Sequence, residues 1–306
     1  MSFLSRKVNI TILKTIVTLI VCYFVYLQFR KNYALFNPME RDIQPVIFIF
    51  SLVMIIITFI FTAMAWKMIL RSMGYEVKLP RAFRIMFLSN MGKYIPGKVW
   101  QALGIVYLSE KSGIPKSVAV TSFVLTEVLI TPVALLISSM YIIFSGGLFG
   151  RFTVVYGTIG IVLSILLIWA LIFRPIYVQR PINYLMRKLK QEAINFDFAK
   201  RKMVSIEFVY LLVWVSLGVS FLFFGYSILK IPHSLIIPLI TIYIAAYIIG
   251  YLSFLTPGGL GVREGVLIFM LTPIMRPGEA ALLAVGSRFW FILGEIICSI
   301  IAALIR

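Results

Sequence analysis

The sequence predicts an all-α polytopic membrane protein, on three observations. Of its 306 residues 61% are apolar or aromatic and 13% are charged, against about 45–50% and about 25% in soluble domains. Six apolar segments each reach the roughly 20 residues that a helix needs to cross the hydrocarbon. The basic residues, which give a net charge of +18, gather mostly between these segments, as in loops that face anionic headgroups. That placement removes the nucleic-acid reading that a basic soluble domain would invite.

The first segment, 8–29, is too long for the usual signal-peptide core and lacks a small-x-small cleavage site, so it reads as a retained span. Further spans follow at 45–66, 118–144, 153–173, 203–229 and 280–305. Thr131-Pro132 should kink the third of the six. The loop 174–202 carries eight basic residues and is expected to lie along the membrane surface as an amphipathic helix. Setting the topology is enough to explain its charge. With the N-terminus inside, and two interrupted regions returning to the side they came from, 18 basic residues fall inside. Only 6 fall outside: Arg30, Lys31, Arg41, Arg151, Lys230 and Arg276. Both termini are therefore expected in the cytoplasm.

The interrupted regions are 82–108, broken at Gly92, Pro96 and Gly97, and 235–273, broken at Pro257, Gly258, Gly259, Gly261 and Gly265. They occupy matching places, so the single transmembrane domain 1–306 divides into halves 1–147 and 148–306. If each region is a re-entrant hairpin, each half crosses three times and the halves form an inverted repeat. The second region is also compatible with a full crossing. Proline removes an N–H, and glycine weakens a helix and lets another group approach closely. Freed backbone groups in lipid cost several kcal/mol each, so such breaks survive only inside protein or beside a wet cavity. Amides at the start of a half-helix are suited to hold a phosphate.

The charges fall in the same places. A charge at membrane depth costs roughly 2.5–3.5 kcal/mol or more and is usually paired or functional. Lys93 and Lys98 flank the first break without an acidic neighbour. They call for a lipid phosphate, for Glu127 or Glu295 across the fold, or for snorkelling to the inner headgroups. Arg263 stands beside Glu264 in the second break, where the two could neutralise each other. Arg288 and Glu295, seven residues apart, share a helix face turned to the bundle interior. Their role is open between ion pairing and transport. Glu127 is a further intramembrane carboxylate, and Glu207 lies near the inner end of its span, where a carboxylate is tolerated. Cys22 and Cys298 read as packing residues and His233 as a loop residue. No metal site or cofactor is expected.

At the two breaks the chain resembles a known family. The run Asn90-Met91-Gly92-Lys93-Tyr94-Ile95-Pro96-Gly97-Lys98-Val99-Trp100-Gln101 resembles the first signature of the lysylphosphatidylglycerol synthase transmembrane family, and Pro257 to Gly265 looks like the second. The family is similar to the flippase domain of the multiple peptide resistance factor. Its other members often serve lipid-linked glycan or cell-envelope pathways in the plasma membrane. With the sequence ending at Arg306 after its last span, no lipid synthesis is expected and the substrate does not carry over.

The resemblance implies lipid translocation. A polar cavity between the re-entrant tips would hold an anionic phospholipid or lipid-linked saccharide. The candidate headgroup site is Asn90, Lys93, Lys98, Trp100, Gln101, Arg263 and Glu264. No GxxxxGK[ST] loop is present, so any drive comes from a gradient, with Glu127, Glu264 and Glu295 as carriers if protons are coupled. Two alternatives are a membrane partner or scaffold of a glycosyltransferase complex, and a membrane-embedded transferase. No catalytic constellation or DxD pair supports the latter.

Overall fold

The computed structural model describes residues 43–94, 100–144, 151–174, 176–188, 199–253, 259 and 261–305. The expected span 8–29, with Cys22, lies outside them, as do Pro96, Gly97, Lys98, Pro257 and Gly258. Among the described residues the chain is helical: α1 (Pro45–Ser72), α2 (Leu79–Asn90), α3 (Trp100–Glu110), α4 (Lys116–Phe144), α5 (Arg151–Phe173), α6 (Ile176–Lys188), α7 (Lys200–Ile228), α8 (Ile236–Leu252), α9 (Val262–Leu271) and α10 (Pro277–Leu304). Short 3₁₀ turns occupy Met91–Tyr94 and His233–Leu235. Pro45, Pro80 and Pro277 open their helices in the first turn, where a missing N–H has no intrahelical partner to lose.

Among the described residues six helices are long and apolar enough to cross a membrane: Pro45–Ser72, Lys116–Met140, Val155–Phe173, Lys200–Ile228, His233–Leu252 and Pro277–Leu304. Five coincide with expected spans. The sixth is the first arm of the second interrupted region, which hydropathy merges with the arm after the break. On α5, Val155, Ile159, Val162, Leu166 and Trp169 are each more than half exposed. Such a stripe is a liability in water and an ordinary surface against acyl chains.

Helix directions follow from paired contacts. The Gln44 N–H donates to the Ser227 carbonyl at 2.9 Å, the Phe50 and Phe223 rings lie 4.7 Å apart, and the Thr58 hydroxyl donates to Ser216 Oγ at 2.9 Å. Each step forward along α1 is a step back along α7, so the two are antiparallel. Trp66 Nε1 donates to Ser122 Oγ at 3.1 Å, which joins the end of α1 to the start of α4. Lys200 Nζ lies 5.1 Å over the Phe173 ring, which brings the end of α5 to the start of α7. One end of the bundle therefore collects Lys67, Arg71, Lys78, Arg81, Arg84, Lys116, Lys200, Arg201 and Lys202, and α6 adds Arg180, Arg187 and Lys188 there. The other end carries Arg151, Lys230 and Arg276 among the described residues. Helix α6 has the amphipathic character expected of it: Ile182 is buried while Arg180, Tyr184, Arg187 and Lys188 are exposed.

The arms at each break fold against one another. Gln101 Nε2 donates to Asn90 Oδ1 at 3.1 Å. A Cβ on Gly92 would lie 2.7 Å from the Gln101 nitrogen, and one on Gly104 3.1 Å from Ser89 Cβ. These pairs diverge in step from the turn, so α2 and α3 are antiparallel arms. Their 12 and 11 residues extend about 18 and about 16 Å at 1.5 Å per residue, well short of a hydrocarbon thickness of about 30 Å. At the second break a Cβ on Gly259 would strike the Gly250 carbonyl oxygen at 2.5 Å. Helix α9 has 10 residues, about 15 Å, and reaches the start of α10 through the short segment 272–276.

Candidate functional site

The depth of the site can be read from the long helices. Phe59 and Phe291 sit at the middles of α1 and α10, and their rings pack edge to face at 5.5 Å. Trp214 is the middle residue of α7, and its ring lies 5.6 Å from Tyr247 of α8. These aromatic residues mark one level, halfway between the two ends of the bundle.

Both breaks deliver charge to that level. At the first, α2 runs antiparallel to α10: Ser299 Oγ donates to the Phe87 carbonyl at 3.2 Å, and four residues earlier on α10 Glu295 meets Asn90. Glu295 Oε1 accepts from Asn90 Nδ2 at 2.6 Å and forms a salt bridge with Lys93. Glu295 is 1% exposed. Of the two carboxylates open to Lys93 in the sequence, the fold brings Glu295 to it, and the ammonium points inward. It also stands 5.2 Å from the Phe291 ring centroid.

At the second break, Gly261 adopts φ +79° and its N–H donates to Glu264 Oε2 at 2.5 Å, which caps α9. Glu264 Oε1 faces Arg288 Nε at 3.8 Å. Glu264 does not pair with Arg263, as adjacency in sequence would allow, but with Arg288. Successive helical side chains diverge by about 100°, and Glu264 is committed to the cap and to Arg288. Arg263 turns instead into an aromatic box, its guanidinium carbon 4.7, 4.5 and 4.8 Å from the ring centroids of Tyr243, Tyr247 and Phe291. It also donates to the Tyr243 hydroxyl. Arg263 packs so closely on α8 that a Cβ on Gly250 would lie 2.7 Å from its own Cβ. Gly265, expected to be part of the break, is instead inside α9 with open space where a Cβ would stand.

The fold thus gathers Asn90, Lys93, Gln101, Arg263, Glu264, Arg288 and Glu295 from four helices and one 3₁₀ turn. Among the described residues three cations face two carboxylates, an excess of one positive charge. Arg263 and Arg288 are close enough to act on Lys93 electrostatically. Trp100 remains 48% exposed. Glu127 stands apart on α4, hydrogen-bonded to Tyr251. The sequence reading missed Tyr243, Tyr247 and Phe291. A signal for the tyrosines exists: Tyr243, Tyr247 and Tyr251 recur every four residues, one stripe of a helix. Phe291 lies on the Arg288–Glu295 face, where it reads as an ordinary core residue.

A family model described as the lysylphosphatidylglycerol synthase TM region matches residues 11–294. The match takes in both breaks and stops one residue before Glu295. No curated protein matches the chain.

Proposed function

Because this chain belongs to the lysylphosphatidylglycerol synthase transmembrane family, we propose that this integral membrane protein translocates an anionic phospholipid or a lipid-linked saccharide for envelope biogenesis. The observation that carries this reading is the buried cluster of net positive charge at mid-depth, where the two interrupted regions meet. A charge at that depth is usually functional or paired, and among the described residues the pairing leaves one cation in excess. In the proposed arrangement α2–α3 enters from the basic, cytoplasmic face and α8–α9 from the opposite face of the plasma membrane, as in an inverted repeat. The antiparallel, short arms α2 and α3 support the first entry, and the short α9, whose first turn packs back on Gly250 of α8, supports the second.

The inner residues are closed off, with Arg263 4% and Glu295 1% exposed, while Lys93 keeps 19% of its side chain accessible. A headgroup phosphate enters when Lys93 exchanges Glu295 for it, a substitution of one charge-assisted partner for another. Arg263 and Arg288 then hold the second and third oxygens, and the acyl or isoprenoid tail stays in lipid. Reclosure on the other side of Phe291 releases the headgroup to the opposite leaflet. The test is leaflet exchange of a fluorescent phosphatidylglycerol in vesicles carrying the pure protein. Wild type is expected to accelerate it. Arg263→Lys keeps the charge but loses the planar stacking. Its exchange should fall about tenfold, the equivalent of about 1.4 kcal/mol, with the folded yield unchanged. No acceleration by wild type, or full activity in Arg263→Lys, would overturn the reading.

A further inference from the structure

A second arrangement of polar groups lies at the basic end of the bundle, on α6. Arg180 and Arg187 are seven residues apart, about 10 Å along the helix, and so share one stripe of it. Asn183 and Tyr184 stand between them, and Ile176 stands one turn before. These side chains, with Gln179, line a groove of about 260 Å³. Ile182, on the opposite face, is buried in the hydrophobic core, and α6 packs on α4 and α5. The helix is thus fixed to the bundle by one side and presents the groove on the other.

The chemistry of the groove calls for an anion. Arg180 and Arg187 are exposed, neither forms an ion pair among the described residues, and α6 has no carboxylate of its own. Setting the topology takes only a number of positive charges, which lysine and arginine supply alike. It does not call for two guanidiniums on one stripe with an amide and a phenol between them. A guanidinium presents paired donors that match the oxygens of a phosphate, where an ammonium is a point charge. Placement selects the anion. Phe173 closes a membrane-length helix and Ile176 opens α6 three residues on, which keeps the start of α6 within about 11 Å of the hydrocarbon. Ile176 is 40% and Tyr184 72% exposed. At the headgroup level a tyrosine has its ring against apolar groups and its hydroxyl in water. The volume lies below the about 300–1,000 Å³ of sites for drug-sized ligands, which suits one headgroup with its acyl chains outside in the leaflet.

We propose that α6 docks the headgroup of one anionic phospholipid from the leaflet at the basic end. Arg180 and Arg187 approach its phosphate from the two sides, Asn183 and the Tyr184 hydroxyl meet its other oxygens, and Ile176 packs on the start of an acyl chain. One negative charge then offsets the repulsion between the two guanidiniums. The site is on a different helix from the buried cluster, and the inference does not depend on the translocation reading.

Hydrogen exchange of the α6 amides tests it, on the full chain in phosphatidylcholine vesicles with an increasing minority of phosphatidylglycerol. Exchange over 176–188 should slow and then saturate in wild type. Arg180→Gln with Arg187→Gln should need about 25-fold more phosphatidylglycerol, about fivefold for each cation near an anionic surface, and so stay at the phosphatidylcholine rate. Lys78→Gln with Arg81→Gln removes the same charge from exposed positions at the same end and should keep the wild-type response. An equal loss in this second pair makes the attraction diffuse and overturns the site, as does a wild type that shows no slowing. Arg180→Lys with Arg187→Lys keeps the charge that sets the topology and loses the paired donors. Its response should fall between those of the two glutamine pairs, and a full wild-type response overturns the guanidinium assignment. Glycerol phosphate added to phosphatidylcholine vesicles should leave α6 unprotected. Protection there would assign the groove to a soluble phosphate ester and overturn the lipid.

Discussion

Phe291 is shared by two cations, Lys93 from the first break and Arg263 from the second. A ring quadrupole offers each cation about 0.5–2 kcal/mol without fixing it as a carboxylate would. That suits a group that must let go. Glu295 is different: its carboxylate is buried, and Lys93 is its charged partner. Lys93→Met should lower stability by about 3–5 kcal/mol, because it breaks a buried ion pair by removing one partner. Adding Glu295→Gln, which keeps the acceptor for Asn90, should recover most of that loss, measured as the thermal midpoint in detergent. Both variants should lack translocation. A double variant no more stable than the single would show that the two residues are not coupled.

The glycines of the two breaks separate into those that a neighbour requires and those it does not. A methyl group at Gly92 meets the Trp100–Gln101 backbone, and one at Gly250 meets Arg263. Gly92→Ala and Gly250→Ala should each cost about 1–3 kcal/mol through overpacking and push the arms apart. Gly265→Ala meets open space inside α9 and should be neutral or stabilising by about 0.5–1 kcal/mol. Thermal unfolding of the three variants side by side checks this. Equal losses would mean that close approach is not what these positions serve. The clustering of proline and glycine made both breaks legible in the sequence. The extent of the second was not, because the last glycine of a loop and one in the first turn of a helix look alike until the cap at Gly261–Glu264 is seen.

Across the described residues, antiparallel α1 and α7 leave one end rich in lysine and arginine and the other with few. Positive residues are retained on the cytoplasmic side. In a Cys22→Ser, Cys298→Ser background, Lys78→Cys and Lys200→Cys should react with an impermeant maleimide only from the cytoplasmic face. Lys230→Cys should react only from the opposite face. Labelling of Lys200→Cys and Lys230→Cys from one face would break the topology.

Hydropathy and charge are properties of each residue against its solvent, so five described spans, the amphipathic α6 and the gathering of basic residues at one end could be read along the chain. Even the residues of the cluster were named there, as charges out of place in lipid. Their partnerships were not. Lys93 finds Glu295 across some two hundred residues, and Arg263 leaves its sequence neighbour for three aromatic rings. Both outcomes depend on which helix faces lie opposite one another, and no local pattern carries that information.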